Sequence, residues 1–155
     1  MINLSLQQWA YKDFIINTSK EELDIDTIHH FLSKESYWAQ GIAMEDVKKS
    51  IDNTTLCFGM YQINKDTNKK RMIGFARVIS DLVTFAYLTD VFIVKDFKGL
   101  GLGKWLLETI TNYDELKIRR ILLMTEDGHT LYDKFGFETL DKPDLFMQIK
   151  GKGAL

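Results

Sequence analysis

The chain has 155 residues, a formal net charge of −2, 45% hydrophobic content and a single proline, which predicts one domain spanning residues 1–155 with a sizeable core. The near-balanced charge excludes a nucleic-acid footprint, the lone Cys57 excludes a disulfide framework and a cysteine-based zinc site, and no apolar run approaches the roughly 20 residues of a membrane span. The stretch Met1 to Leu6 lacks the basic segment and long apolar run of a leader. The expectation is a cytoplasmic protein with no nucleic acid, membrane or metal as partner.

Residues 11–17, rich in Phe14, Ile15 and Ile16, predict a first strand. Asp24 or Asp26 then caps a helix carrying Ile25, Ile28, Phe31 and Leu32 at helical spacing to about Ser33. A loop with Tyr37, Trp38 and Gly41 leads to a second short helix over residues 45–51. The period then changes. Residues 55–63 and 72–80 are strand-like and joined by the polar, turn-forming segment 64–70, whose lysines are interleaved with Asp66 and Asn68. Residues 84–94 make a longer strand after the turn at Asp81, so an antiparallel meander is expected. Beyond Gly103, Trp105, Leu106, Leu107 and Ile110 mark a third helix ending near Asn112. Residues 120–125 read as a strand buried on both faces, 130–135 as a short helix stopped by Gly136, and 137–149 as one or two terminal strands around Pro143. The fold class is α+β, with the glycine loop between the fourth strand and the third helix.

The chemistry concentrates at Lys98-Gly99-Leu100-Gly101-Leu102-Gly103-Lys104. Alternate glycines permit positive φ and remove the Cβ atoms that hold a ligand away. Amides freed at a helix start converge on an anion, so the loop is a phosphate cradle or else a tight strand-to-helix turn. A P-loop is excluded, because Trp105 follows Lys104 and Lys98 stands where the first glycine belongs. A dinucleotide fingerprint starting at Gly99 lacks its third glycine, at Lys104. Glu126 does sit where a ribose-binding carboxylate would lie, but a meander precedes this unit instead of β–α repeats.

Lys98-x-x-Gly101-x-Gly103 resembles the pyrophosphate motif of the GNAT superfamily of N-acetyltransferases, with Lys in place of Arg or Gln. Phe92-Ile93 through Phe97-Lys98-Gly99 is similar to the run that precedes it in that family, with Lys95 replacing a proline. Leu131-Tyr132-Asp133-Lys134-Phe135-Gly136-Phe137 resembles a second family element, and the two stand in the family's order. The resemblance implies a mixed, mostly antiparallel central sheet flanked by helices. It also implies acetyl-CoA as co-substrate and a primary amine of a small molecule or peptide as acceptor. It assigns the pantetheine arm and thioester carbonyl to the main chain of Val91, Phe92 and Ile93. The pyrophosphate falls to the amides from Lys98 through Gly99, Leu100, Gly101, Leu102 and Gly103 to Lys104. Lys98 keeps the charge of the family's Arg without its bidentate fork.

Acetyl transfer to an amine needs a neutral amine, donors for the developing oxyanion and a proton for the departing thiolate. Tyr132 matches the tyrosine that protonates the thiolate in the family; otherwise it packs with Leu131 and Phe135. Asp90, ahead of an apolar segment, is either the base or a hydrogen-bonding pin. Strand alternation sets it on the face opposite Val91 and Ile93. Tyr87 and Thr89 are expected on the other face, where they could position a water. Thr125, or Asp127, stands in for an Asn the family often places near the pantetheine. Tyr37 and Trp38 either wall the acceptor site or cap the core, and His129 is a helix-end polar residue or an acid–base group. A domain that keeps the fold and binds acyl-CoA or a partner without catalysis is the alternative. A homodimer stays open.

Overall fold

The computed structural model describes residues 4–153; Met1–Asn3, part of the stretch read as lacking a leader, lie outside them. Six strands form one sheet in chain order: β1 (Gln8–Tyr11), β2 (Phe14–Asn17), β3 (Leu56–Ile63), β4 (Lys70–Ser80), β5 (Ala86–Ile93) and β6 (Ile121–Leu122). Each neighbouring pair is antiparallel except β5–β6, which is parallel. Helices α1 (Ile25–His30) and α2 (Met44–Asp52) enter between β2 and β3. Helix α3 (Leu102–Thr111) joins β5 to β6, and α4 (His129–Asp133) follows β6.

Strand alternation sorts the core into two layers. Leu56, Phe58, Met60, Ile73, Val78, Leu88 and Ile93 meet Leu102, Leu106, Leu107 and Ile110 of α3 on one face. On the other face Cys57, Tyr61, Phe75 and Phe92 meet Ile28, Phe31, Leu32, Val47 and Ile51. Both α2 and α3 owe their place to apolar residues recurring at helical spacing, which must be covered to repay the entropy of ordering them.

Four expectations need correction. The first strand is a hairpin, β1 turning at Lys12 (φ 52°) into β2. The extra strand was hidden because Gln8–Tyr11 is a largely exposed edge without apolar alternation. The glycine loop therefore follows the fifth strand, not the fourth. The apolar run 120–125 supplies only two strand residues, and Met124 is 71% exposed, so this strand is not buried on both faces. The segment 137–149 holds no strand among the described residues, only a 3₁₀ turn at Pro143–Leu145.

The first helix also changes character. Asp24 caps it, Oδ1 accepting from the Thr27 amide at 3.3 Å. After His30 it widens into a π-helical turn, Phe31–Glu35, closed by the Ser36 amide on the Phe31 carbonyl at 2.9 Å. Ser36 then fixes the exit, its hydroxyl donating to Leu32 O at 2.6 Å and accepting from Ala39 N–H at 3.1 Å. Gly41 N–H returns to Ser33 O at 3.0 Å, so the loop bearing Tyr37 and Trp38 is held in place by its own hydrogen bonds.

Candidate active site

Strand β5 carries a bulge at its centre. Phe75 pairs with Phe92 and Arg77 with Thr89, so Asp90 and Val91 together oppose Ala76. Asp90 takes the extra turn with φ 54°, a left-handed conformation that costs a non-glycine residue about 1–2 kcal/mol. The bulge resets the alternation. Val91 and Ile93 face α3, and Asp90 and Phe92 face the α1–α2 layer, as alternation required. Thr89, the cross-strand partner of Arg77, joins Asp90's face instead of the opposite one, and Tyr87 follows it by alternation.

The outer edge of β5 is bare where the bulge ends. Strand β6 pairs only Ala86↔Ile121 and Tyr87↔Leu122, and among the described residues no strand pairs with that edge from Leu88 to Ile93. The main-chain groups of the Val91–Ile93 segment that face outward, those of Val91 and Ile93, therefore meet no strand, while those of Phe92 face β4. Such an edge accepts an extended, amide-bearing ligand as an added strand.

Beyond β5 the chain makes a 3₁₀ turn at Lys95–Phe97 and enters the glycine loop. Gly99 (φ 81°) and Gly101 (φ 79°) are left-handed, and a Cβ built on either meets nothing within 4 Å. Gly101 is the N-cap of α3, no side chain caps the helix, and the first helical bond runs from Trp105 N–H to Gly101 O at 3.1 Å. Lys98 N–H is taken by Lys95 O at 3.2 Å, so the expected cradle loses that amide, and those from Gly99 through Lys104 are the ones free to meet an anion at the positive end of the helix dipole. Leu102 is buried in the core, so it contributes main chain only, whereas Leu100 is exposed. Lys98 and Lys104 are exposed cations at either end of the loop. An open, uncapped cradle beside a bare strand edge fits the pyrophosphate and amide arm of a coenzyme A.

Residues 59–139 match the model of the GNAT acetyltransferase domain. The chain belongs to the GNAT acetyltransferase family. A candidate acetyltransferase of Gibberella zeae is 30% identical over 149 residues, covering 86% of this chain and 84% of that protein. The uncharacterised N-acetyltransferase ycf52 of Pyropia yezoensis is 38% identical over 96 residues, covering 61% of this chain and 54% of its own. Among solved structures, a candidate GNAT acetyltransferase of Xanthomonas campestris pv. campestris superposes with TM-score 0.81 at 37% identity, over 90% of this chain and 94% of that one.

Within this GNAT chain the catalytic candidates part company. Tyr132 lies on α4, half-buried, its ring edge-on to Phe137 at 5.7 Å. Burial, with smaller contributions from Tyr37 and Asp127, pushes its phenol up to about 12, so it keeps its proton through the neutral range. A Cβ at Gly128 would stand 2.8 Å from Tyr132 Cε2 and from Thr125 Oγ1, so glycine lets the 125–128 turn close over the ring. Thr125 Oγ1 accepts from Gly128 N–H at 2.8 Å, which commits that oxygen to the turn. His129 is exposed at the start of α4.

Asp90 does not have the surroundings of a base. It is 8% exposed, and both of its oxygens are engaged: Oδ2 by Arg77 Nε–H at 2.6 Å, Oδ1 by Trp38 Nε1–H at 2.9 Å. With both oxygens taken by hydrogen bonds, of the two roles set out for it the geometry favours the pin. Trp38 stands at the bulge. Tyr37, edge-on to Trp38 at 5.0 Å, accepts the Glu126 amide on its hydroxyl at 2.7 Å. Burial, then the Asp90 charge, raise the phenol of Tyr87 on the same face. Behind Trp38, Phe31 stacks on Phe92 with centroids 4.0 Å apart and planes 8° apart. Sequence reasoning missed Arg77 and Phe31. A lone cation in the apolar strand Met-Ile-Gly-Phe-Ala-Arg-Val-Ile was the available signal for Arg77, because buried arginine is rare without a partner.

Proposed function

We propose that the chain transfers the acetyl group of acetyl-CoA to a primary amine of a small molecule or peptide in the cytoplasm. The observation that carries this reading is the junction of an uncapped glycine cradle with a bare, bulged strand edge, in a member of an acetyltransferase family. Bound acetyl-CoA would supply the activated acyl group and the thiol leaving group. The amides of residues 99–104 would hold its pyrophosphate with Lys98 adding its charge, and the main chain of Val91–Ile93 would hold its amide arm. The same donors meet the negative charge that builds on the thioester oxygen.

Tyr37, Trp38 and Tyr87 form the acceptor wall, and their rings keep bulk water from the acyl group. The amine nitrogen forms its bond to the acetyl carbon as the carbon–sulfur bond breaks. Tyr132, protonated throughout the neutral range, gives its proton to the departing sulfur, and water takes the proton of the amine. Asp90 is engaged by Arg77 and Trp38, so this step draws on the fraction of acceptor that is neutral in solution. That arrangement also suits the second reading, a domain that binds acyl-CoA without turning it over.

Two measurements on the intact chain separate these. Acetyl-CoA should raise the melting temperature, because a ligand bound only to the native state stabilises it by mass action, and Gly101→Glu should abolish the rise. Free thiol release should then appear with some member of a panel of amines and peptides. Binding with no turnover on any acceptor would leave only the non-catalytic reading. Stabilisation by NAD(H) in place of acetyl-CoA would overturn both.

A further inference from the structure

A line of polar side chains crosses the otherwise apolar layer between the sheet and helices α1 and α2. The Thr54 hydroxyl, just past the end of α2, donates to Ser50 O and accepts from Arg77 Nη1–H at 3.1 Å. The other arm of Arg77 meets Asp90, and Asp90 meets the Trp38 indole. The side chains of the ion pair are 16% and 7% exposed, and Cys57, Phe75 and Phe92 share their layer. Two apolar residues of similar volume would hold this layer together equally well or better, because the desolvation of a buried pair offsets most of its attraction. Asp90 also bears the strain of a left-handed backbone. Both costs fall at one place, beside Val91, where the sheet opens.

The loop carrying Trp38 spans that opening. Trp38 ties it to β5 through Asp90, and Tyr37 ties it to the chain just after β6 through the Glu126 amide. Remove the carboxylate's grip and the indole loses the bond that sets its distance from the bulge. Arg77 governs that grip, since it fixes which Asp90 oxygen is left for the indole.

We propose that Arg77 is a positioning residue of the acceptor site, acting through Asp90 to hold the Trp38 indole in place as that site's wall. The inference rests on the acetyltransferase reading for its kinetic consequence and on the hydrogen-bond chain for its structural one. Arg77 spends its side-chain hydrogen bonds on Asp90 and Thr54, none on the glycine loop, so it governs the acceptor and leaves the co-substrate alone.

The test uses the full chain with acetyl-CoA, and 2-phenylethylamine or a short peptide with a free N-terminus as acceptor. Arg77→Met and Trp38→Phe should each raise the acceptor KM about tenfold, the scale of a sub-ångström misplacement. Acetyl-CoA affinity by calorimetry should change less than about twofold in both. The double variant should be no worse than the worse single, and Arg77→Lys should fall between wild type and Arg77→Met. In ¹⁵N spectra the Trp38 indole signal, identified by its loss in Trp38→Phe, should move in Arg77→Met while those of Trp9 and Trp105 stay. An unmoved indole signal, or acceptor and acetyl-CoA weakened alike, overturns the proposal. If Arg77→Met does not fold, Arg77→Lys carries the same readouts. Wild-type protein that acetylates no amine refutes the enzymatic reading instead, and the indole signal still decides the role of Arg77.

Discussion

Asp90 and Tyr132 divide the chemistry at the level of single residues. Asp90→Asn keeps the shape but removes the charge that partners Arg77. A charged hydrogen bond is worth about 1.5–3 kcal/mol, so unfolding in urea should show a loss of that order. If the carboxylate is a pin, the pH–rate profile keeps its shape; loss of an acidic limb on Asp90→Asn would restore it as base. Tyr132→Phe tests the opposite role. Turnover should fall roughly 10²–10⁴-fold, the scale of general-acid catalysis, with acetyl-CoA affinity unchanged because the ring remains. Wild-type turnover in that variant would make Tyr132 a packing residue against Phe137.

Among the elements, the glycine loop separates backbone need from ligand need. Gly99 is left-handed, so Gly99→Ala should cost about 1–2 kcal/mol of stability whether or not ligand is present. Gly103 has no positive φ, and its added Cβ would lie 3.8 Å from Ile93 Cγ1, ordinary contact. Gly103→Ala in the first turn of α3 should therefore be neutral or stabilise by up to about 1 kcal/mol, while still weakening acetyl-CoA binding by crowding the cradle. Equal losses of stability in the two variants would contradict this assignment. The loop was legible in sequence because its signal is local: the strand before it, the glycine spacing and the helix after it follow one another directly from Ala86 to Thr111. The acceptor wall was not. Trp38 and Asp90 lie 52 positions apart, and nothing in either neighbourhood announces the other. Strand β6 misled for a different reason. Its apolar run matches a buried strand, but the sheet splays there, so most of the run never pairs. The tail read as strands from its apolar content, yet Met147 and Ile149 stand exposed.

Across the whole molecule, a set of raised thiol and phenol groups ties stability to alkali. Burial pushes the Cys57 thiol from 9.0 up to about 11 and Tyr132 from 10.0 up to about 12. Burial raises Tyr61 as well, with Glu22 and Asp24 adding to it. Each group holds its proton more tightly folded than unfolded, so above its unfolded value the unfolded chain binds fewer protons and stability falls as pH rises. The melting temperature should be insensitive to these groups below about pH 9, then decline through pH 11 and 12. Replacing Cys57 with Ala should remove the earliest part of that decline; an unchanged alkaline slope would show that the thiol is not what titrates. The two-layer core accounts for the legibility at this scale. Once the meander and α3 are recognised, alternation alone assigns Leu56, Phe58 and Met60 to one layer and Cys57 and Tyr61 to the other.

The π-helical turn at Phe31–Glu35 has a consequence for how such a site diversifies. A π turn holds one residue more than the α-helix it interrupts, so it amounts to a single-codon insertion absorbed without breaking α1. Each residue of an α-helix advances by about 100°, and the turn takes up its extra residue by widening, so excising one restores ordinary winding and leaves the chain beyond it in register. Deleting Lys34, which is exposed, should leave cooperative melting, acetyl-CoA binding and the anchors of Tyr37 and Trp38 intact. The same deletion within Ile25–His30, where no widened turn absorbs it, should swing that pair off the Glu126 amide and Asp90 and change which amines are accepted. One codon gained or lost at the π turn would thus be tolerated, whereas one gained or lost before it would let a lineage exchange acceptors while the cradle for the acyl donor is inherited unchanged.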